Sequence, residues 1–120
     1  MTAAVFLVSL LAAVSPSHSI DPLSLHVTPR ACLTPGFIRA EARVMRHPDN
    51  RQLVLVADSI AYYSSATKDI DGDHDTVVHE MLFKQLPAGI YTISARLTWA
   101  SGEEYVRDAL VEVRGSNIPQ

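Results

Sequence analysis

The chain has 120 residues, 48% of them apolar, 19% charged and 7% aromatic, with seven Pro, five Gly and a single Cys. That length suits one domain, and the apolar share excludes a disordered chain. A formal charge of −3 and a lone cysteine exclude a basic nucleic-acid surface, an internal disulfide framework and a multi-thiolate metal site.

From Ala3 to Val14 the chain reads AAVFLVSLLAAV, twelve residues without a charge, and the first charged side chain is Asp21. Twelve helical residues rise about 18 Å, short of a hydrocarbon core of about 30 Å. The stretch therefore has the length of an export-signal apolar region rather than of a membrane span. Ser17 and Ser19 put small residues at the −3 and −1 positions of a cut before Ile20, and Pro16 ends the apolar segment just ahead of it. The expectation is a removed leader over residues 1–19, a domain over 20–115 and a flexible tail over 116–120. The mature chain is expected to be secreted or periplasmic, with no stable membrane span. Cys32 lies too far from the apolar run to be a lipidation site. It reads as a small buried hydrophobe, or alternatively as a free thiol for an intermolecular disulfide.

The recurring signal after the leader has period two, with Pro and Gly breaking the runs. Leu23–Val27 alternates until Pro29. Ile38, Ala40, Ala42 and Val44 share one face, while Arg39, Glu41 and Arg43 take the other. His47-Pro-Asp-Asn50 has turn chemistry, and Leu53-Val-Leu-Val-Ala57 is apolar throughout. These two runs and their short connection predict a hairpin. Ile60–Ser64 reads as an edge strand, in which adjacent Tyr62 and Tyr63 must face opposite sides. Lys68–Asp75 reads as a solvated loop and Val77–Phe83 as a strand. In Tyr91–Trp99 the odd-numbered residues Tyr91, Ile93, Ala95, Leu97 and Trp99 form one inward face. Tyr105–Val113 closes the domain, and its out-of-phase Val106 and Leu110 predict a bulge near Asp108. About seven short strands at spacings of roughly 8–12 residues predict an all-β, immunoglobulin-like Greek-key sandwich.

Leu86-Pro-Ala-Gly-Ile-Tyr91 carries the fold's signature. Pro87 fixes φ, Gly89 permits a tight corner, and the hydroxyl of an inward Tyr91 needs a partner a few residues upstream. With Trp99 on the same face, this segment resembles the corner of secreted bacterial immunoglobulin-like and fibronectin type III-like domains, over about Leu23 to Gly115. The resemblance implies the fold and leaves function open. The corner is also similar to that of periplasmic copper-resistance domains. Ser101-Gly102-Glu103 stands where those carry Asp-Gly-His, so copper is not implied.

Asp69, Asp71, Asp73 and Asp75 alternate, with Glu80 eleven positions after the first, a spacing similar to positions 1, 3, 5 and 12 of a Ca²⁺ loop. His74 stands where such a loop needs Gly. The five-residue separation of His74 and His79 is a weak transition-metal pattern, and Arg39, Arg43 and Arg96 lie on polar strand faces. No Gly-x-Ser-x-Gly elbow, paired-His zinc motif or phosphate loop occurs, so no enzyme and no required cofactor is expected. The expectation is a small exported, non-enzymatic binding or accessory module with a protein or glycan partner. Its alternative is a Ca²⁺-binding or metal-responsive domain using the Asp69–Asp75 loop.

Overall fold

A computed structural model describes residues 21–115, and within them every regular element is a strand. The eight strands are β1 (Leu23–Thr28), β2 (Ala31–Leu33), β3 (Gly36–Val44), β4 (Asn50–Ser59), β5 (Tyr62–Asp69), β6 (Val78–Leu86), β7 (Gly89–Trp99) and β8 (Glu104–Arg114). The expected leader and C-terminal tail lie outside the described residues. No helix among the described residues is long and apolar enough to cross a membrane.

The strands form two sheets, one in the order β1-β3-β6 and the other in the order β2-β8-β7-β4-β5. All neighbours are antiparallel except β2, which runs parallel to β8 with Cys32 opposite Val113. β2 adds an eighth strand to the expected seven because three residues between Pro29 and Pro35 are too short to show a period. Period two does assign the inner faces of the long strands. Ile38, Ala40, Ala42 and Val44 of β3 are buried, as are Tyr91, Ile93, Ala95 and Leu97 of β7. The two sheets stack these faces together. One half of the core gathers Ile38, Phe83, Leu86, Tyr91 and Val111; the other gathers Leu23, Val44, Leu53, Ile70 and Leu97. Leu25 and Met81 touch both halves.

Three expectations are corrected. β3 and β4 do not form a hairpin: β3 pairs with β1 and β6, and β4 with β5 and β7. His47–Asn50 instead carries the chain from one sheet to the other, so the apolar faces of β3 and β4 meet across the core rather than along an edge. β8 has no bulge, since it pairs with β7 without interruption from Gly89↔Val113 to Thr98↔Glu104. Val106 and Leu110 lie on its exposed outer face, 42% and 63% accessible. The segment after β5 is not wholly solvated either, because Ile70 is buried in the core.

The bulges lie elsewhere. One slips β6 against β3 between Gly36 and Ile38, where Gln85 adopts a φ of 55°. The other falls between Asn50 and Gln52 of β4, opposite Trp99 and Thr98. Leu53, Leu55 and Ala57 face inward, so an unbroken strand would send Arg51 inward as well. The bulge reverses the phase: Asn50 is 1% exposed and Arg51 faces water.

Candidate functional site

The Tyr91 corner forms as the sequence requires. Tyr91 is fully buried, its hydroxyl donates to the Pro87 carbonyl at 2.6 Å, and Gly89 lies at φ 157°. Burial holds the phenol above its ordinary pKa. Leu86 is fully buried beside it, and Tyr62 meets the Tyr91 ring edge-on at 5.9 Å while Tyr63 points outward. This constellation is structural: it fixes the turn into β7.

Trp99, the last residue of that face, does something different. It is only partly buried and sits where the second half of the core opens. Its Nε1 donates to Asn50 Oδ1 at 2.9 Å, and Asn50 Nδ2 donates to the Met45 carbonyl at 2.9 Å. The β4 bulge thus turns a buried amide into a bracket between β7 and the β3–β4 connection. His47 stacks on the indole with centroids 4.1 Å apart and planes 10° from parallel, and Tyr105 of β8 meets it tilted by 60° at 4.9 Å. The Asp49 N–H donates to His47 Nδ1 at 3.0 Å. In the neutral ring the proton therefore resides on Nε2, which is left as a donor.

These three rings line a cavity of about 750 Å³ together with Asp21, Pro22, Met45, Arg46 and Arg107. Such a volume is within the range of about 300–1,000 Å³ typical of small-molecule sites. Arg107 is held by Asp21, with Nη2 2.5 Å from Oδ1, and this bond is the main reason the Asp21 carboxyl lies below its usual pKa. Arg46 has no ion-pair or hydrogen-bond partner among the described residues. Burial is also the main cause of an upward shift at the Tyr105 phenol, whose hydroxyl donates to Glu103 Oε2 at 3.0 Å. The site is an aromatic hollow with a cation at its wall that is unpaired among the described residues.

The acidic segment builds no comparable site. Asp69 ends β5, whereas Asp75 turns inward on its own loop, accepting the Asp71 N–H at 3.1 Å and the Thr76 N–H at 3.2 Å. The first of these bonds chiefly lowers its pKa. Asp73 lies 3.6 Å from exposed His74. Among the described residues no three His, Cys, Asp or Glu side chains converge to hold a metal. His79 is buried against Lys68, whose Nζ lies 3.3 Å from Nδ1, with Nε2 unpartnered. Arg39 pairs with Glu80 and Arg43 with Glu41 on the three-stranded sheet, while Arg96 pairs with Glu104 on the other, so the three arginines do not converge. Cys32 is partly buried against the core. Sequence reasoning missed Asn50, His47 and Arg46, because only the β4 bulge and the corner between sheets bring them to Trp99.

No protein-family model matches the chain, and neither does any curated protein. Among solved structures, the superoxide reductase (neelaredoxin) from Ignicoccus hospitalis matches with a TM-score of 0.62 at 10% identity, over 78% of this chain and 81% of that one. A family 76 glycoside hydrolase from a bovine Bacteroides thetaiotaomicron strain matches with a TM-score of 0.53 at 18% identity. The match covers 79% of this chain but 21% of the hydrolase. Murine CRIg matches at a TM-score of 0.46 and 16% identity, too low to carry an argument. The first two likenesses show a shared all-β fold.

They also correct the functional expectation. The reading as a binding or accessory module for protein or glycan contacts is set aside, because superoxide reductases are among the solved structures that match this fold over nearly four-fifths of the chain, at 10% identity. The Ca²⁺ alternative falls with the acidic loop's geometry. A redox metal does not fit the described residues either, since no set of three donors converges.

Proposed function

We propose that this chain is an exported, immunoglobulin-like Greek-key sandwich domain whose pocket around Trp99 binds a small planar anion. The strand orders β1-β3-β6 and β2-β8-β7-β4-β5, crossing between sheets at 45–49, support the Greek-key reading, together with the Tyr91–Pro87 bond. The uncharged run Ala3–Val14 and the small residues before Ile20 support export. Intact-mass measurement of the exported protein should show loss of the first 19 residues or so; a full-length mass would count against it.

One observation carries the ligand reading: a stacked His47–Trp99 pair, flanked by Tyr105, walls a cavity that also presents Arg46, unpaired among the described residues. The rings offer flat apolar area at low entropic cost, and a guanidinium matches a carboxylate or phosphate with two parallel hydrogen bonds. His47 Nε2 adds a donor on the same wall. This is recognition of a flat, negatively charged small molecule, and it assigns no reaction.

Trp99 is the chain's single tryptophan, so intrinsic fluorescence reads the pocket directly. Titration with benzoate and phenyl phosphate should change Trp99 emission saturably, while benzyl alcohol, the neutral control, should bind at least tenfold more weakly. Arg46→Gln should abolish the preference for the anions. Emission that does not saturate with either anion would overturn the reading.

A further inference from the structure

The two sheets have four edges, and three are guarded. Strand β1 is bounded by Pro22 and by the Thr28–Pro29 bond. β2 is three residues long between Pro29 and Pro35. β6 carries Glu80 and Lys84 and ends in the bulge at Gln85. Short length, proline, charge and bulges are the devices that keep an open edge from pairing with another chain.

β5 has almost none of them. It pairs with β4 in unbroken register for eight residues, from Ser59↔Tyr62 to Gln52↔Asp69. From Tyr62 to Thr67 it reads YYSSAT, without charge, proline or glycine. Its one lysine, Lys68, sits near the end and turns toward buried His79. Tyr63 is 66% exposed on the outer face, and Ile60, in the turn leading into the strand, is fully exposed. One side of this strand therefore leaves alternate N–H and C=O groups without strand partners beside exposed apolar groups.

We infer that β5 is a self-pairing edge, through which two copies of this chain join antiparallel and make their five-stranded sheets continuous. A second copy suits the edge because the segment is complementary to itself. Tyr63, Ser65 and Thr67 face outward and Tyr62, Ser64 and Ala66 inward, so a two-fold axis normal to the sheet must pair odd with odd and even with even. A register centred on Ser65 sets Tyr63 opposite Thr67, Ser64 opposite Ala66 and Tyr62 opposite Lys68. No like charges are opposed. The Trp99 pocket has no lining residue on β5, so this inference stands apart from the ligand reading.

Sedimentation of the purified exported chain over a range of concentrations tests it. The expected result is a reversible monomer–dimer equilibrium. Ser65→Lys, an exposed substitution, should give a monomer whose melting temperature at low concentration matches the parent's. Mixing Ser65→Lys with Ser65→Glu should restore the dimer. A parent that stays monomeric at high concentration, a dimer indifferent to Ser65→Lys, or a lysine variant not rescued by the glutamate one would each overturn the proposal.

Discussion

Tyr91, Asn50 and His79 are the buried polar residues on which the described structure turns; the first two are bonded and His79 keeps an unpartnered Nε2. The Tyr91 hydroxyl donates to the Pro87 carbonyl and also meets the Ser59 side chain. Tyr91→Phe removes the donor and leaves a buried carbonyl short of a partner, which should cost about 1–3 kcal/mol in denaturant unfolding; equal stabilities would mean the corner holds without it. Asn50 uses both ends of its amide, on Trp99 and on Met45. Asn50→Ala should therefore destabilise the fold and also shift Trp99 emission toward that of a solvated indole. His79 is held neutral: burial first, then the Lys68 ammonium, lower its pKa, against the opposing influence of the Thr76 backbone and Asp75. The unfolded state, with an ordinary value near 6.5, then takes up a proton more readily than the folded state. Above that pH the group contributes no slope. As pH falls through 6.5 the unfolded state gains, so the melting temperature should drop between about pH 7 and 5. His79→Gln should flatten that slope; an unchanged slope would assign it to another group.

At the level of strands, the alternation in β3 and β7 is legible because both lie inside their sheets with one face fully buried. That condition imposes a strict period of two. Pairing is not legible from the same signal. β3 and β4 look like a hairpin because they are neighbours in sequence with apolar faces, but opposed faces in a sandwich carry the same pattern as paired strands. The slip in β4 was equally hidden, since Asn50-Arg-Gln52 has no apolar residue to reveal a phase change, and with it went the pocket. In β8 the reverse error arose: Val106 and Leu110 are apolar residues on an outer face, which a rule of buried hydrophobes mistakes for a slip. Gly36 shows how closely the layers meet. A Cβ there would lie 2.9 Å from Val113 Cγ2 and 3.2 Å from Leu86 Cβ. Gly36→Ala should cost about 1–3 kcal/mol by forcing β3 away from β8, and a stability equal to the parent's would show that Val113 can rotate aside.

For the whole molecule, the fold likeness to superoxide reductases and to part of a glycoside hydrolase joins the chain to a shape that carries unrelated chemistries, so function must be argued from the site. The pocket lies at the end of the sandwich reached by the β3–β4 connection and the β7–β8 hairpin, whereas the open β5 edge lies along its side. The Asp21–Arg107 pair bears on the pocket in its own way. Asp21 places a carboxylate on one of the two guanidinium groups that a visiting anion would seek, and so acts as a tethered rival for it. A guest that reached Arg107 would exchange one carboxylate for another there. Asp21→Asn should raise benzoate affinity several-fold in the Trp99 titration, and an unaltered affinity would place the guest's charge on Arg46 alone.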